Sequence, residues 1–382
     1  MPDARPARAD TETIYLVSTS GFPNYGDEAS TAAWLRFLAT ARPDADVWLD
    51  CNDPGLSAVL FDGLNPRLRV TDMVWRLARE TAEMTAEEGD RHVDVRLRDL
   101  GSPRFDLGLL ALREASTYHV VGGGYVNDLW PHHLQLLRAG LRLKELSGAR
   151  LVATGIGLTP LTRPDELKEV FAAFDHATAR DAPSAEAAGI ALSSDDSLLG
   201  LDQVTGFKRG GHTGGGARGD VWVCLQSDRI SGEDLETAVA AVRELLAGPR
   251  FAGRTVRYLE AIPGVDRIAF DKLADLIPEE NFVPFVDLWR NGFPGGQDQT
   301  WVTSRFHLHL LAAATGAEGV VVEPDEQYYR PLHASLLEAG TGWAVSPASS
   351  PSLPEPSVSA RFRGVAAAAH EAKRAEAGAL YS

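Results

Sequence analysis

The 382-residue sequence contains only two cysteines, Cys51 and Cys224. They lie far apart, each in or beside an apolar run. They therefore supply neither a disulfide framework nor a zinc site, and a reducing, cytoplasmic compartment is expected. Long hydrophobic runs are missing too. Nothing approaches the roughly 20 apolar residues of a membrane span, and the opening Met-Pro-Asp-Ala-Arg-Pro-Ala-Arg-Ala-Asp lacks the apolar centre of a signal peptide. Basic charge is short as well: 37 Lys and Arg stand against 53 Asp and Glu, and a net charge of −16 opposes binding to nucleic acid or an anionic membrane. An anionic small molecule stays within reach, because a few convergent Arg and His side chains outweigh distant charges screened within about 10 Å.

Several chemical signatures are absent. There is no H-E-x-x-H, no C-x-x-C and no clustered metal-ligand spacing, and the adjacent His132 and His133 read as surface or cap residues. No metal and no cofactor are expected. Walker, G-x-G-x-x-G and G-x-S-x-G patterns are also missing, which removes the usual marks of nucleotide loops and hydrolase nucleophiles.

What is present is an ordinary globular composition, 44% hydrophobic and 24% charged, in a chain long enough for two cores. Short apolar runs rich in β-branched residues (TIYLVS, ADVWLD, STYHVV, ARLVAT, HATARD) alternate with helical patterns, which implies a mostly parallel sheet. A glycine-rich stretch, FKRGGHTGGGARG, interrupts the alternation, and a second series follows from VWVCLQ to EGVVVE. The reading is an α/β protein of two Rossmann-like domains facing across a cleft that holds the working site. It assigns residues 11–203 to the first domain, 204–219 to a linker, 220–346 to the second domain, and 347–382 to a Pro/Ser-rich segment with a terminal helix.

The first strand leads into Ser20-Gly21-Phe22-Pro23-Asn24-Tyr25-Gly26-Asp27-Glu28, a loop opening a helix, where free N–H groups and the helix dipole suit an anion. Asn24 and Asp27 equally suit a turn and an N-cap. Gly122-Gly123-Gly124 and Gly155-Ile156-Gly157 each follow a strand, where glycine lets a ligand approach the backbone or simply turns the chain. Arg180, at a strand end before a cap-like Asp181, suits a carboxylate, a phosphate or an ion pair. In Thr303-Ser304-Arg305-Phe306-His307-Leu308-His309, cationic groups interrupt an apolar strand-to-helix run. Arg305 shares a face with His309 if the run is helical and with His307 if it is extended. Tyr125, Trp130, Trp289 and Phe293 are either sugar-stacking or core aromatics.

Taken in order, NYGDE, VVGGG, TGIG, ARDAPS with Asp195-Asp196 after it, and SRFHLHLLAAATG resemble the polysaccharide pyruvyl transferase family from about residue 14 to 335. The resemblance implies a fold similar to GT-B glycosyltransferases and transfer of pyruvyl from phosphoenolpyruvate. It matches Arg305 and His307 to an R-x-H pair, Arg180 to the R-D arginine, and Asn24, Gly26 and Asp27 to the first turn. Two departures stand out: Asn127-Asp128 where the family commonly has Gln-Asp, and Arg330 or His333 where it has a lysine.

The expected function is therefore transfer of pyruvyl from an anionic donor, phosphoenolpyruvate, to hydroxyls of a sugar or glycan acceptor, with ketal formation and release of phosphate. His307 is the expected general acid and Asp27 the base. Arg180 and Arg305 hold the donor, with Asn24, Gly26, Gly123, Gly124, Ser304 and His309 around the substrates. A GT-B-like glycosyltransferase using a sugar nucleotide, and a catalytically silent binding protein, are the alternatives. Assembly with copies of itself stays open.

Overall fold

The structure is a computed structural model describing residues 11–99, 106–204 and 219–382. The described residues pack as two compact units. The first comprises residues 11–22, 31–99, 106–196 and 375–382, and the second residues 23–30, 197–204 and 219–374. The glycine-rich linker expected at 204–219 lies, but for its ends, outside the described residues.

The first unit carries seven strands: β1 (Thr13–Val17), β2 (Asp46–Asp50), β3 (Leu68–Thr71), β4 (Thr117–Val120), β5 (Arg150–Ile156), β6 (His176–Ala179) and β7 (Ala191–Leu192). They form one sheet in the order β3-β2-β1-β4-β5-β6-β7. The second carries β8 (Val221–Cys224), β9 (Val256–Leu259), β10 (Phe282–Val283), β11 (Thr300–Thr303), β12 (Glu318–Glu323) and β13 (Ala344–Pro347), in the order β10-β9-β8-β11-β12-β13. Every pairing is parallel, as the strand-helix alternation predicts. Parallel sheets covered by helices bury both faces, which is why β1, β4, β8 and β11 are buried at every position and, but for His119 in β4, read as unbroken apolar or small-residue runs.

Each sheet has its own core. In the first, Tyr15 and Tyr118 stack at 6.0 Å across β1 and β4 above Leu136 and Leu151. In the second, Val223, Tyr258, Phe270 and Val302 pack against the helix Gly232–Leu246. Full burial of such a side chain contributes about 1.5–3 kcal/mol. Cys51 and Cys224 are buried and form no disulfide. No helix among the described residues is long and apolar enough to cross a membrane.

In both sheets the strand order reverses beside the first strand, between β1 and β4 in one and between β8 and β11 in the other. Loops leaving the carboxyl ends of such a pair part in opposite directions and open a crevice where ligands bind in α/β sheets. Gly122–Gly124 leaves β4 and Ser304–His307 leaves β11, so two of the expected groups fall at these positions.

Candidate functional site

At the carboxyl edge of the first sheet, the glycines and acids pack mainly on one another. Asp196 is fully buried and accepts from Trp34 Nε1 at 2.8 Å, Gly122 N at 2.9 Å and Thr154 Oγ1 at 2.7 Å. A Cβ on Gly122 would stand 2.7 Å from the carbonyl oxygens of Thr154 and Gly155, and one on Gly155 would stand 2.7 Å from Asp196 Oδ1. Gly123 bridges to Ile156, and its carbonyl accepts from Gly157 N at 3.0 Å. Gly157 in turn makes room for Arg180, whose Nε would lie 2.5 Å from an added Cβ. Gly124 O accepts from Asn127 Nδ2 at 2.9 Å, and Asp128 accepts from Thr162 N, so the Asn127-Asp128 departure serves a turn.

The Arg180 side chain is 3% exposed and pairs with Asp195 at 3.2 Å and with Asp181 at 3.7 Å. Asp181 caps the helix Ala182–Ala188 by accepting from Ser184 N at 2.9 Å, as the sequence predicts.

The second unit gathers the remaining expected residues. β11 ends at Thr303, Arg305 is extended at the N-cap, and the helix Phe306–Ala314 starts immediately, which settles the strand-or-helix question. Arg305 donates through Nε and Nη2 to Asp266 and through Nη2 to Asp228 at 2.9 Å. Burial opposes the Arg305 charge, but Asp266 and Asp228 outweigh it and raise the pKa above the ordinary arginine value. Two of its three nitrogens are thus committed. The helix it begins has no side-chain N-cap bond, so the positive end of that helix carries its own anion preference.

His307 lies in the first helical turn, 9% exposed. Its ring rests on Gly26, where a Cβ would stand 1.9 Å from Cγ and 2.0 Å from Nδ1. Gly26 is therefore required for space, and its φ is not in the left-handed region. The helix Tyr25–Ala41 places Asn24 at its cap position, where Glu28 N donates to Asn24 O at 3.0 Å, and Asp27 in its first turn. Asn24 Nδ2 donates to the half-buried Asp27 carboxylate at 2.8 Å. The turn is anchored by Tyr25, whose N–H donates to Ala261 O at 3.1 Å and whose ring packs on Trp289 and Phe293.

One carboxylate that the sequence reading missed connects these pieces. Asp266, wholly buried, accepts from Ala261 N at 2.8 Å, Ile262 N at 2.9 Å and Arg305. It therefore fixes both the loop that anchors Tyr25 and the arginine beside His307. Its signal in sequence is faint, an aspartate in the loop after a strand, seven residues beyond the end of β9.

Ser304 and His309 prove structural. Ser304 Oγ accepts from Gln226 N at 2.8 Å, joining the ends of β8 and β11. His309 is wholly buried, stacked on Trp343 at 4.7 Å, with Nδ1 3.2 Å from His333 Nδ1 and Nε2 3.0 Å from Thr341 Oγ1. Neither ring nitrogen is left for a substrate. Burial lowers the pKa of both histidines, that of His333 to about 4, so both are neutral. His333 Nε2 can only donate to Ser304 O, at 3.2 Å; its Nδ1 then accepts from His309, and Thr341 donates to His309 Nε2. Arg330, at the lysine departure, pairs with Glu323 and Glu326. Tyr125 and Phe293 are core aromatics, 4% and 0% exposed. Among the described residues no three His, Cys, Asp or Glu side chains stand in a metal-binding group.

The family model for polysaccharide pyruvyl transferases matches residues 24–208. Over that span the chain is similar to the polysaccharide pyruvyl transferase family. The match indicates a transferase and covers the first turn, the glycine loops and Arg180, while Arg305 and His307 lie beyond it. No curated protein matches the sequence significantly. Among solved structures, S. aureus MnaA in complex with UDP is similar at TM-score 0.53 and 11% identity, over 96% of this chain and 91% of that one. UDP-GlcNAc 2-epimerase from Methanocaldococcus jannaschii is similar at TM-score 0.52 and 11% identity, over 95% of this chain and 92% of that one. These likenesses agree with the GT-B-like α/β fold class expected from the sequence and speak to fold alone.

Proposed function

We propose that this protein moves the pyruvyl group of phosphoenolpyruvate onto two hydroxyls of a sugar or glycan precursor, forming a cyclic ketal and releasing phosphate. The observation that supports it best is the seating of the His307 ring on Gly26, which unites the first turn and the R-x-H pair within one unit. His307 protonates the methylene carbon of the donor. A first hydroxyl then adds to the neighbouring carbon, giving its proton to Asp27, and the second hydroxyl displaces phosphate, its proton leaving with that group. Arg305 and the uncapped start of the helix Phe306–Ala314 hold the donor's negative charge. Both substrates are cytoplasmic in this reading.

Replacing His307 by Gln lowers turnover by about 10²–10⁴, the range for loss of a general acid, while calorimetry finds phosphoenolpyruvate bound as before. Full turnover in that variant sinks the assignment. A second reading that the same fold accommodates is glycosyl transfer from a sugar nucleotide. Titration with a panel of sugar nucleotides beside phosphoenolpyruvate separates the two, and donor binding without turnover on any acceptor indicates a silent binding protein.

A further inference from the structure

The first unit contains a second place built to hold a ligand, away from the residues used above. A pocket of about 110 Å³ opens between the end of the helix Met73–Glu80, the start of the helix Ala86–Arg98, the turn Pro131–His133 with the helix Leu134–Ser147 after it, and the start of the helix Pro164–Ala172. A smaller pocket of about 20 Å³ shares Pro131, Leu134, Arg163 and Glu166 with it and is lined by Asn127 and Asp128, beside the glycine triplet. The last two helices follow β4 and β5, so their first turns stand on the carboxyl-edge side of the sheet, where α/β sheets take ligands.

Its charged lining groups, Arg138, Arg163 and Glu166, are neutralised together with Asp90, which stands outside the lining. Arg138 bonds both Asp90 and Glu166, and Arg163 pairs with Glu166 at 3.0 Å, so two cations meet two anions. Burial, then Arg79, lowers the pKa of His132, which adds no charge at neutral pH. A phosphate or carboxylate therefore finds no surplus positive charge. Gln135 is 5% exposed, and its Nε2 donates to Asp90 at 2.8 Å, which fixes the orientation of the amide. Its Oε1 is buried and accepts no hydrogen bond from the protein. A buried acceptor without a donor is costly, and a ligand hydroxyl supplies the missing hydrogen. Met84 and Leu134 provide apolar wall beside these groups.

We propose that this pocket binds an uncharged, hydroxyl-rich ligand, a sugar ring, with Gln135 Oε1 accepting from one of its hydroxyls. Identifying that sugar with part of the acceptor rests on the pyruvyl-transfer reading; the binding chemistry does not.

Saturation-transfer NMR of the full chain with D-glucose, D-galactose, D-mannose and N-acetyl-D-glucosamine at millimolar concentration tests it. At least one sugar shows transfer. Gln135→Met weakens that sugar by about tenfold, the weight of one hydrogen bond. Ala86→Trp, an exposed lining position whose new ring fills the mouth, abolishes its signal and leaves phosphoenolpyruvate binding unchanged. Ala86→Trp keeps the test decisive if Gln135→Met does not fold. Absence of transfer from all four sugars, or transfer that persists in Ala86→Trp, overturns the proposal. Pocket-dependent sugar binding without ketal formation supports the pocket and counts against the transfer reading alone, whereas wild-type ketal formation by Ala86→Trp removes the acceptor from this pocket.

Discussion

The carboxyl edges of the two sheets are made in opposite ways. In the first unit side chains are removed: Gly122, Gly155 and Gly157 let backbone, Asp196 and Arg180 pack at distances a Cβ would forbid. In the second unit side chains are added and then restrained: Arg305 is held by Asp266 and Asp228, and His307 is seated on Gly26. The family-matched motifs of the first edge mainly hold one another in place, while the groups able to move protons cluster on the second. A conserved-looking motif string can thus record how a crevice is shaped rather than what reacts in it.

Breaking the restraint on the second edge gives the largest expected effect. Asp266→Ala leaves Arg305 without its buried partner and lowers stability by about 3–5 kcal/mol, measured as the denaturant midpoint. Gly26→Ala drives a methyl into the His307 ring, and a misplacement of that size costs about 10²-fold in kcat with the fold retained by circular dichroism. Gly122→Ala sharpens the contrast, because its methyl meets backbone carbonyls and Asp196: it should lower the melting temperature while the folded fraction keeps near-normal affinity for phosphoenolpyruvate.

Two buried groups, one in each unit, answer pH with opposite signs. His333 has a folded pKa near 4 against an ordinary 6.5, because it is buried. The unfolded chain therefore takes up a proton that the folded one refuses, and stability falls as pH drops from 6.5 towards 4. Asp50 is the reverse. Burial raises its pKa to about 7 from 3.8, against the lowering effect of bonds from Tyr15, Val74 and Trp75, so its contribution falls as pH rises from 3.8 to 7. Urea unfolding across this range should show a shallower acid limb in His333→Gln and a shallower rising-pH limb in Asp50→Asn; unchanged curves would refute the assignment. The smallest expected effect is at the first edge, where Asp181→Ala removes one helix cap and about 1 kcal/mol, read as a small shift in the urea midpoint.

Features encoded over a few residues were legible before the structure. Apolar runs separated by helical periods gave the two parallel sheets, and Asp181-x-x-Ser184 read as a cap because the accepting carboxylate and the donating N–H are three positions apart. The Asp266–Arg305 pair spans 39 positions, and Gly26 meets His307 across most of the chain, so neither leaves a local pattern. Arg180 was ambiguous in the sequence because an arginine at a strand end looks the same whether its carboxylates arrive from a ligand or from Asp195. His309 misled because a histidine in an apolar run is compatible with either a ligand or a partner such as His333.

That partnership makes the interior of the second unit observable. The proton that His309 Nδ1 gives to His333 is shielded on all sides, both rings being wholly buried. It should exchange with deuterium only when the packing opens. The chain thus carries a built-in isotope clock, two bonds removed from Ser304, that reads the integrity of the β11 terminus without label or ligand.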